Sequence, residues 1–80
     1  MPIVDVTIKR EWIRPGFPWK NTGFSPRVRK DEMGVCRGVV IVVDPKGTRD
    51  MYVYRGRDPV KALRAAQARI AGILSGAVAV

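Results

Sequence analysis

The sequence contains no histidine and one cysteine, and these two shortages exclude several kinds of site. Without histidine there is no imidazole base, no Ser-His pair and no Cys-His zinc site, so Ser25 and Ser75 have no group to activate them. Cys36 has no second thiol for an internal disulfide, and a lone cysteine in an apolar strand usually fills space in the core. We therefore expect neither a metal ion nor an organic cofactor.

Acidic residues are also scarce, and their placement argues against catalysis. The chain has seven Asp and Glu in all. The adjacent acids Asp31 and Glu32 would point to opposite faces of a strand or into solvent in a turn, which does not make an acid/base pair. No glycine is followed by the Lys-Ser or Lys-Thr of a phosphate-binding loop. We expect a protein that is not an enzyme.

Long apolar runs are missing as well. The C-terminal stretch 70–80 has no charged side chain, but its eleven residues fall short of the ~20 that a membrane-spanning helix needs. The N-terminus carries Asp5 where a secretory signal would be apolar. Together with the single thiol, these features predict a soluble protein of the reduced cytoplasm.

Positive charge, in contrast, is abundant. Fifteen Lys and Arg, ten of them Arg, oppose seven acids and give a net charge of +8 on 80 residues. The guanidinium fork matches phosphates and base edges better than an ammonium group does. This composition favours a polyanionic partner, DNA or RNA in the first place, although a well-solvated surface on an arginine-rich protein would look the same.

The first third of the chain predicts one strand and a long loop. Residues 3–9 alternate apolar and polar side chains, which is typical of a half-buried strand. Residues 11–26 contain three prolines, which forbid a helix and disfavour a strand. We expect an ordered loop that places its aromatic residues on the body of the domain. These are Trp12, Phe17, Trp19 and Phe24.

The middle of the chain predicts a β-hairpin over residues 35–55. Residues 27–30 are compatible with a short polar edge strand, and residues 31–34 with a turn. The run 35–43 is rich in valine and isoleucine and reads as a central strand. Asp44-Pro45-Lys46-Gly47 has the composition of a type I turn. Strict alternation in the return strand would put Tyr52 and Tyr54 on one face and Met51 and Val53 on the other.

A helix is predicted over residues 59–75. Asp58 is a good N-cap, and Pro59 would occupy the first helical position, where its missing N–H costs nothing. Apolar residues then recur at helical spacing up to Leu74. The fold class is therefore α+β: a single domain over residues 1–80, with an antiparallel sheet of three to four strands and one C-terminal helix on one face.

The basic residues suggest where a nucleic acid would bind. Arg37 lies within the apolar central strand, and burying it there would be costly unless one sheet face is open. We expect arginines beside tyrosines on that face, continuing to the junction between the last strand and the helix. The predicted nucleic-acid-binding residues are Arg27, Arg29, Arg37, Arg49, Arg55, Arg57 and Lys61.

From Phe24 onward, about two-thirds of the chain, the pattern resembles a DNA-binding module of three strands and a helix. The pattern is a basic strand (residues 24–30), a strand ending in Asp-Pro-x-Gly (35–47), a return strand closing on glycine (52–56) and an alanine-rich helix (58–74). It occurs in the arm-binding domain of phage tyrosine integrases and in the ethylene-response-factor domain of plants. The resemblance implies that the sheet enters the major groove. The matching arginines here are Arg27, Arg29, Arg37, Arg49 and Arg55.

Two other functions fit the same sequence. In size and in its lack of catalytic groups the chain is also similar to small phage-encoded inhibitors such as anti-CRISPR proteins, which implies a phage or mobile element as its source. In that case Phe17 and Trp19, with the basic rim, would contact a host protein or nucleoprotein complex. A third hypothesis is a homodimer formed through the uncharged residues 70–80.

Overall fold

A computed structural model describes residues 3–14 and 22–77. Four strands form one antiparallel sheet in sequential order: β1 (Val4–Asp5), β2 (Phe24–Lys30), β3 (Cys36–Asp44) and β4 (Gly47–Gly56). A short 3₁₀ turn (Arg10–Trp12) follows β1, and one helix, α1 (Pro59–Leu74), follows β4 and packs on one face of the sheet. The predicted α+β architecture with a single C-terminal helix is confirmed.

The hairpin of β3 and β4 forms at the predicted place. Asp44 pairs with Gly47, so that Pro45 and Lys46 make a two-residue connection. The carboxylate of Asp44 accepts a hydrogen bond of 2.9 Å from the N–H of Lys46, which is the usual way an aspartate stabilises a turn. The apolar composition of β3 fits its central position, since helix α1 covers one face and β2 and β4 flank it.

Strand β2 differs from the prediction. It begins at Phe24, inside the predicted loop 11–26, and it lies between β1 and β3 rather than at an edge. The N–H of Val6 donates to the carbonyl of Val28, so even-numbered residues of β2 direct their backbone groups toward β1. In the ladder, β1 pairs only with Arg29 and Lys30 of β2. Pro26 lies outside this ladder, so its missing N–H costs the sheet no hydrogen bond.

The two tyrosines of β4 lie on opposite faces, which contradicts the prediction from strict alternation. Tyr52 pairs with Val39 and Tyr54 with Gly38, so Val53 is an extra residue that has no partner on β3. This β-bulge resets the alternation along β4. Tyr54 and Val53 consequently pack on the helix side of the sheet, whereas Tyr52 lies on the other face with 55% of its surface exposed.

Helix α1 has the predicted N-terminus and ends one residue earlier than predicted. The carboxylate of Asp58 accepts hydrogen bonds from the N–H groups of Val60 (2.9 Å) and Lys61 (3.3 Å). Its apolar side is buried against the sheet in two clusters. One contains Val28, Cys36, Ala62 and Leu63, and the other contains Val40, Val42, Ala66 and Ile70.

The contact between helix and sheet depends on a glycine. A Cβ atom at Gly38 would overlap the carbonyl oxygen of Ala62, so only glycine lets α1 approach β3 this closely. Gly56 makes room in a similar way, because the ring of Tyr54 lies where its Cβ would be.

Two of the four loop aromatics belong to the core, as predicted. Trp12 packs on the cluster around Leu63, and Phe24 packs on the cluster around Val40. Phe17 and Trp19, the predicted contacts to a protein partner, lie outside the described residues. Over residues 3–14 and 22–77, no helix combines the length and hydropathy needed to cross a membrane.

Candidate nucleic-acid interface

The sheet face opposite α1, here called the open face, carries four of the seven predicted binding residues. In the ladder Arg29 pairs with Arg37, and Arg37 pairs with Arg55, so three arginines form a row across β2, β3 and β4. Arg27 lies two residues from Arg29 on the same face of β2, and Tyr52 lies beside the row on β4. Like charges directly opposite one another destabilise a sheet unless carboxylates compensate them.

Arg29 is compensated by two aspartates. Its Nε donates to Asp5 on β1 at 3.3 Å, and its Nη1 donates to Asp50 and to the phenolic oxygen of Tyr52, both on β4. The hydrogen bond to Asp50 is the main reason that the pKa of Arg29 is raised above its ordinary value. The side chain thus reaches from β2 across β3 to β4. Arg29 therefore links β1, β2 and β4 on the open face.

Arg37 is also held by a carboxylate. Its Nη1 lies 3.2 Å from Asp31, which follows β2 and which also accepts the N–H groups of Met33 and Val35. Desolvation acts to raise the pKa of Asp31, but these two N–H groups and the guanidinium together outweigh it and hold the pKa below its ordinary value.

Arg27 and Arg55 are the freer cations of this face. Both are exposed, and within the described residues neither forms an ion pair. Arg55 and Arg37 border a shallow depression together with Tyr52 and Tyr54. An exposed cation next to an aromatic ring can contact a phosphate while the ring stacks on a base.

The other three predicted residues lie elsewhere. Arg49 pairs with Val42, whose side chain is in the core, so Arg49 belongs to the helix side of the sheet near the hairpin turn. Arg49 therefore does not share a face with Arg37 and Arg55, because the odd-numbered residues of β4 on either side of the bulge face opposite ways. Arg57 donates to the carbonyl oxygen of Met33 at 2.9 Å, and Lys61 is exposed in the first turn of α1.

A second basic surface, which the sequence did not single out, lies between the 3₁₀ turn and α1. Arg10 and Arg14 from the segment around the turn meet Arg64 from the helix around a cleft of about 540 Å³. Glu11, Ile13, Gln67 and Ala68 complete its lining. In the sequence, the basic residues near positions 9–14 already form a group. Their approach to α1 depends on tertiary packing and has no local signal.

Gln67 also borders this cleft and was not predicted as a site residue. It is buried with 2% of its surface exposed, and neither its Nε2 nor its Oε1 has a hydrogen-bond partner in the described part of the chain. It borders the 540 Å³ cleft and also an adjoining cavity of about 220 Å³ next to Pro26 and Arg27. The signal was its spacing: Gln67 stands four residues after Leu63 and three before Ile70, on the buried side of the helix.

Comparisons of the chain with protein-family models, with curated proteins and with solved structures gave no match. Residues 3–14 and 22–77 contain no cluster of three or more acidic or cysteine side chains that could hold a metal ion.

Proposed function

We propose that the protein binds nucleic acid, DNA or RNA, without catalysing a reaction. The observation that carries this proposal is the convergence of Arg10, Arg14 and Arg64 on one cleft. Arg10 and Arg14 come from the segment around the 3₁₀ turn and Arg64 comes from α1, and Glu11 is the one acidic residue in the same lining. Such a cluster of guanidinium groups is a favourable place for phosphates.

Arg27 extends this interface toward the open face. It borders the smaller cavity, which shares Ile13 and Gln67 with the cleft, and its exposed position on β2 leads to the row of arginines. Arg29 and Arg37 contribute less to binding in this proposal, because three carboxylates already engage them. Phosphate contacts dominate such an interface, so binding is sensitive to salt and only weakly selective for sequence.

A titration of fluorescent single-stranded DNA, duplex DNA and RNA at about 50 and 200 mM salt tests the proposal. We expect affinity to fall by at least about tenfold between the two salt concentrations, as release of several counterions requires. Arg64→Gln should weaken binding at low salt, whereas Arg49→Gln, which removes the same charge near the hairpin turn, should not. Absence of binding at low salt, or equal effects of the two variants, would refute this interface.

The unpaired edge of β4 supports a second candidate, an inhibitor that binds a protein. Within the described residues β4 pairs on one side only, and exposed Tyr52 stands next to that edge. An exposed strand can receive an extended segment of another protein. If the protein binds no nucleic acid at low salt, and Tyr52→Ser abolishes capture of a host protein that wild type retains, this candidate replaces the first.

A further inference from the structure

The amide of Gln67 is a polar group that the fold leaves unsatisfied. Both of its polar atoms are shielded from solvent, and among the described residues they are the only buried side-chain nitrogen or oxygen atoms without a partner. On folding, such a group loses its hydrogen bonds to water and gains none within the protein, so natural proteins contain few of them. A leucine or methionine at this position would fit the apolar surroundings of α1 better.

The space around Gln67 suggests why the amide is retained. The residue lies between the cleft of about 540 Å³ and the cavity of about 220 Å³, and Ile13 borders both of them. The larger volume falls within the range of roughly 300–1,000 Å³ that is typical of small-molecule sites. The cleft thus combines apolar walls from Ile13 and Ala68 with arginines at its border, and it adjoins the side chain of Gln67, whose two polar atoms are shielded from solvent.

We propose that this cleft binds one nucleotide whose base is unpaired. The phosphate would lie against Arg10, Arg14 and Arg64, and the base would enter between Ile13 and Ala68, where the Gln67 side chain must turn toward the cleft before its shielded amide can meet the base edge. A primary amide offers a donor and an acceptor side by side, the pattern by which glutamine recognises the N6 and N7 atoms of adenine. This proposal rests on the proposed function and adds to it a site for an unstacked base such as adenine.

The same chemistry can come from a free nucleotide or from a nucleotide within a single strand. In a duplex the base is stacked and paired and cannot enter the cleft without being flipped out, so duplex DNA should compete poorly. The test therefore uses AMP, a short single-stranded oligo(dA), an oligo(dC) of equal length and a duplex as separate probes.

The key variant is Gln67→Leu, with Gln67→Met as a length-matched alternative should the first not fold. We expect Gln67→Leu to weaken binding of AMP and oligo(dA) by about tenfold or more while duplex binding stays within twofold. In the absence of ligand it should raise the melting temperature by about 4 °C or more, since it removes an unsatisfied amide. In wild type the side-chain NH₂ resonances of Gln67 should shift on addition of AMP.

The outcomes separate this proposal from the proposed function. If oligonucleotides bind with the expected salt dependence but Gln67→Leu changes nothing and AMP leaves the Gln67 resonances unmoved, the cleft holds water only and the nucleotide site is refuted. If AMP binds through Gln67 and no polymer binds at low salt, the site takes a free nucleotide and nucleic-acid binding is refuted. If oligo(dA) binding depends on Gln67 and AMP alone is too weak to detect, the site takes a nucleotide within a strand.

Discussion

Arg29, on the second strand, donates a hydrogen bond to Asp50, on the fourth strand, across the central strand that separates them. The same guanidinium donates to Asp5 on the first strand, so a single side chain connects both edge strands of the sheet. Arg29 therefore acts mainly in stability, in contrast to its neighbour Arg27, which has the same charge and lies on the same face.

Arg29→Gln and Arg27→Gln should separate these two roles. We expect Arg29→Gln to lower the free energy of unfolding by about 1 kcal/mol, because two solvent-exposed ion pairs are lost and Asp5 and Asp50 remain without a cation. Arg27→Gln should change it by less than about 0.5 kcal/mol and weaken nucleic-acid binding instead. Urea denaturation measures the first quantity and the salt-dependent titration the second. Equal urea midpoints would show that Arg29 does not support the sheet.

The turn at Asp31 predicts a pH-dependent contribution to stability. The folded-state pKa of Asp31 lies below its ordinary value, so the ionised carboxylate stabilises the fold fully above about pH 3.9, the unfolded value. That contribution is lost as the pH falls through the lower folded pKa. We expect Asp31→Asn to be less stable than wild type at pH 7 and the gap in urea midpoint to narrow below about pH 3.9. A gap that is constant with pH would contradict this.

Gly38→Ala tests the close contact between β3 and α1. The added methyl group would meet the carbonyl of Ala62, which is backbone and cannot rotate away. We expect a loss of about 1–3 kcal/mol in the free energy of unfolding, the usual cost of overpacking a core. Thr48→Ala, an exposed change on the neighbouring strand, is the control and should stay within about 0.5 kcal/mol of wild type.

The helix cap provides a further test. Asp58→Ala removes the acceptor for the N–H groups of Val60 and Lys61 and should cost about 1 kcal/mol. Asp58→Asn keeps a side-chain oxygen in the same place and should lose much less. If both variants unfold at the same urea concentration as wild type, the cap does not stabilise α1.

The sequence predicted those elements whose signals are local. Asp44-Pro45 predicts the hairpin turn, and Asp58-Pro59 predicts the start of the helix. In each pair the aspartate accepts hydrogen bonds from N–H groups two or three residues later, and the proline fixes its own φ angle. The faces of β4 could not be predicted in the same way. The bulge at Val53 depends on how β4 is registered against β3, and a single extra residue there turns Tyr54 toward the helix.

The sequence predicted the type of ligand at the candidate site better than it predicted which residues come together there. Arginine content indicated a polyanion, but the partners of Arg29 lie 24 and 21 residues away along the chain, too far for a local pattern to show the pairing. The cleft at Arg10, Arg14 and Arg64 likewise depends on a contact between distant segments. Gln67 was the exception, since a polar residue at a buried helical position can be recognised from spacing alone.

Pro26 limits how copies of this molecule can associate through their sheets. On one side of the sheet the edge strand β1 has two residues, and beyond its end Pro26 of β2 is buried and has no N–H, so this stretch of β2 offers no edge to an incoming strand. In the described part of the chain, β4 is thus the one edge long enough to accept another strand. If two copies paired antiparallel through β4, the β4 edge of each copy would be occupied and the copies would be related by a twofold axis. Association by this route stops at a pair and cannot propagate into a fibre.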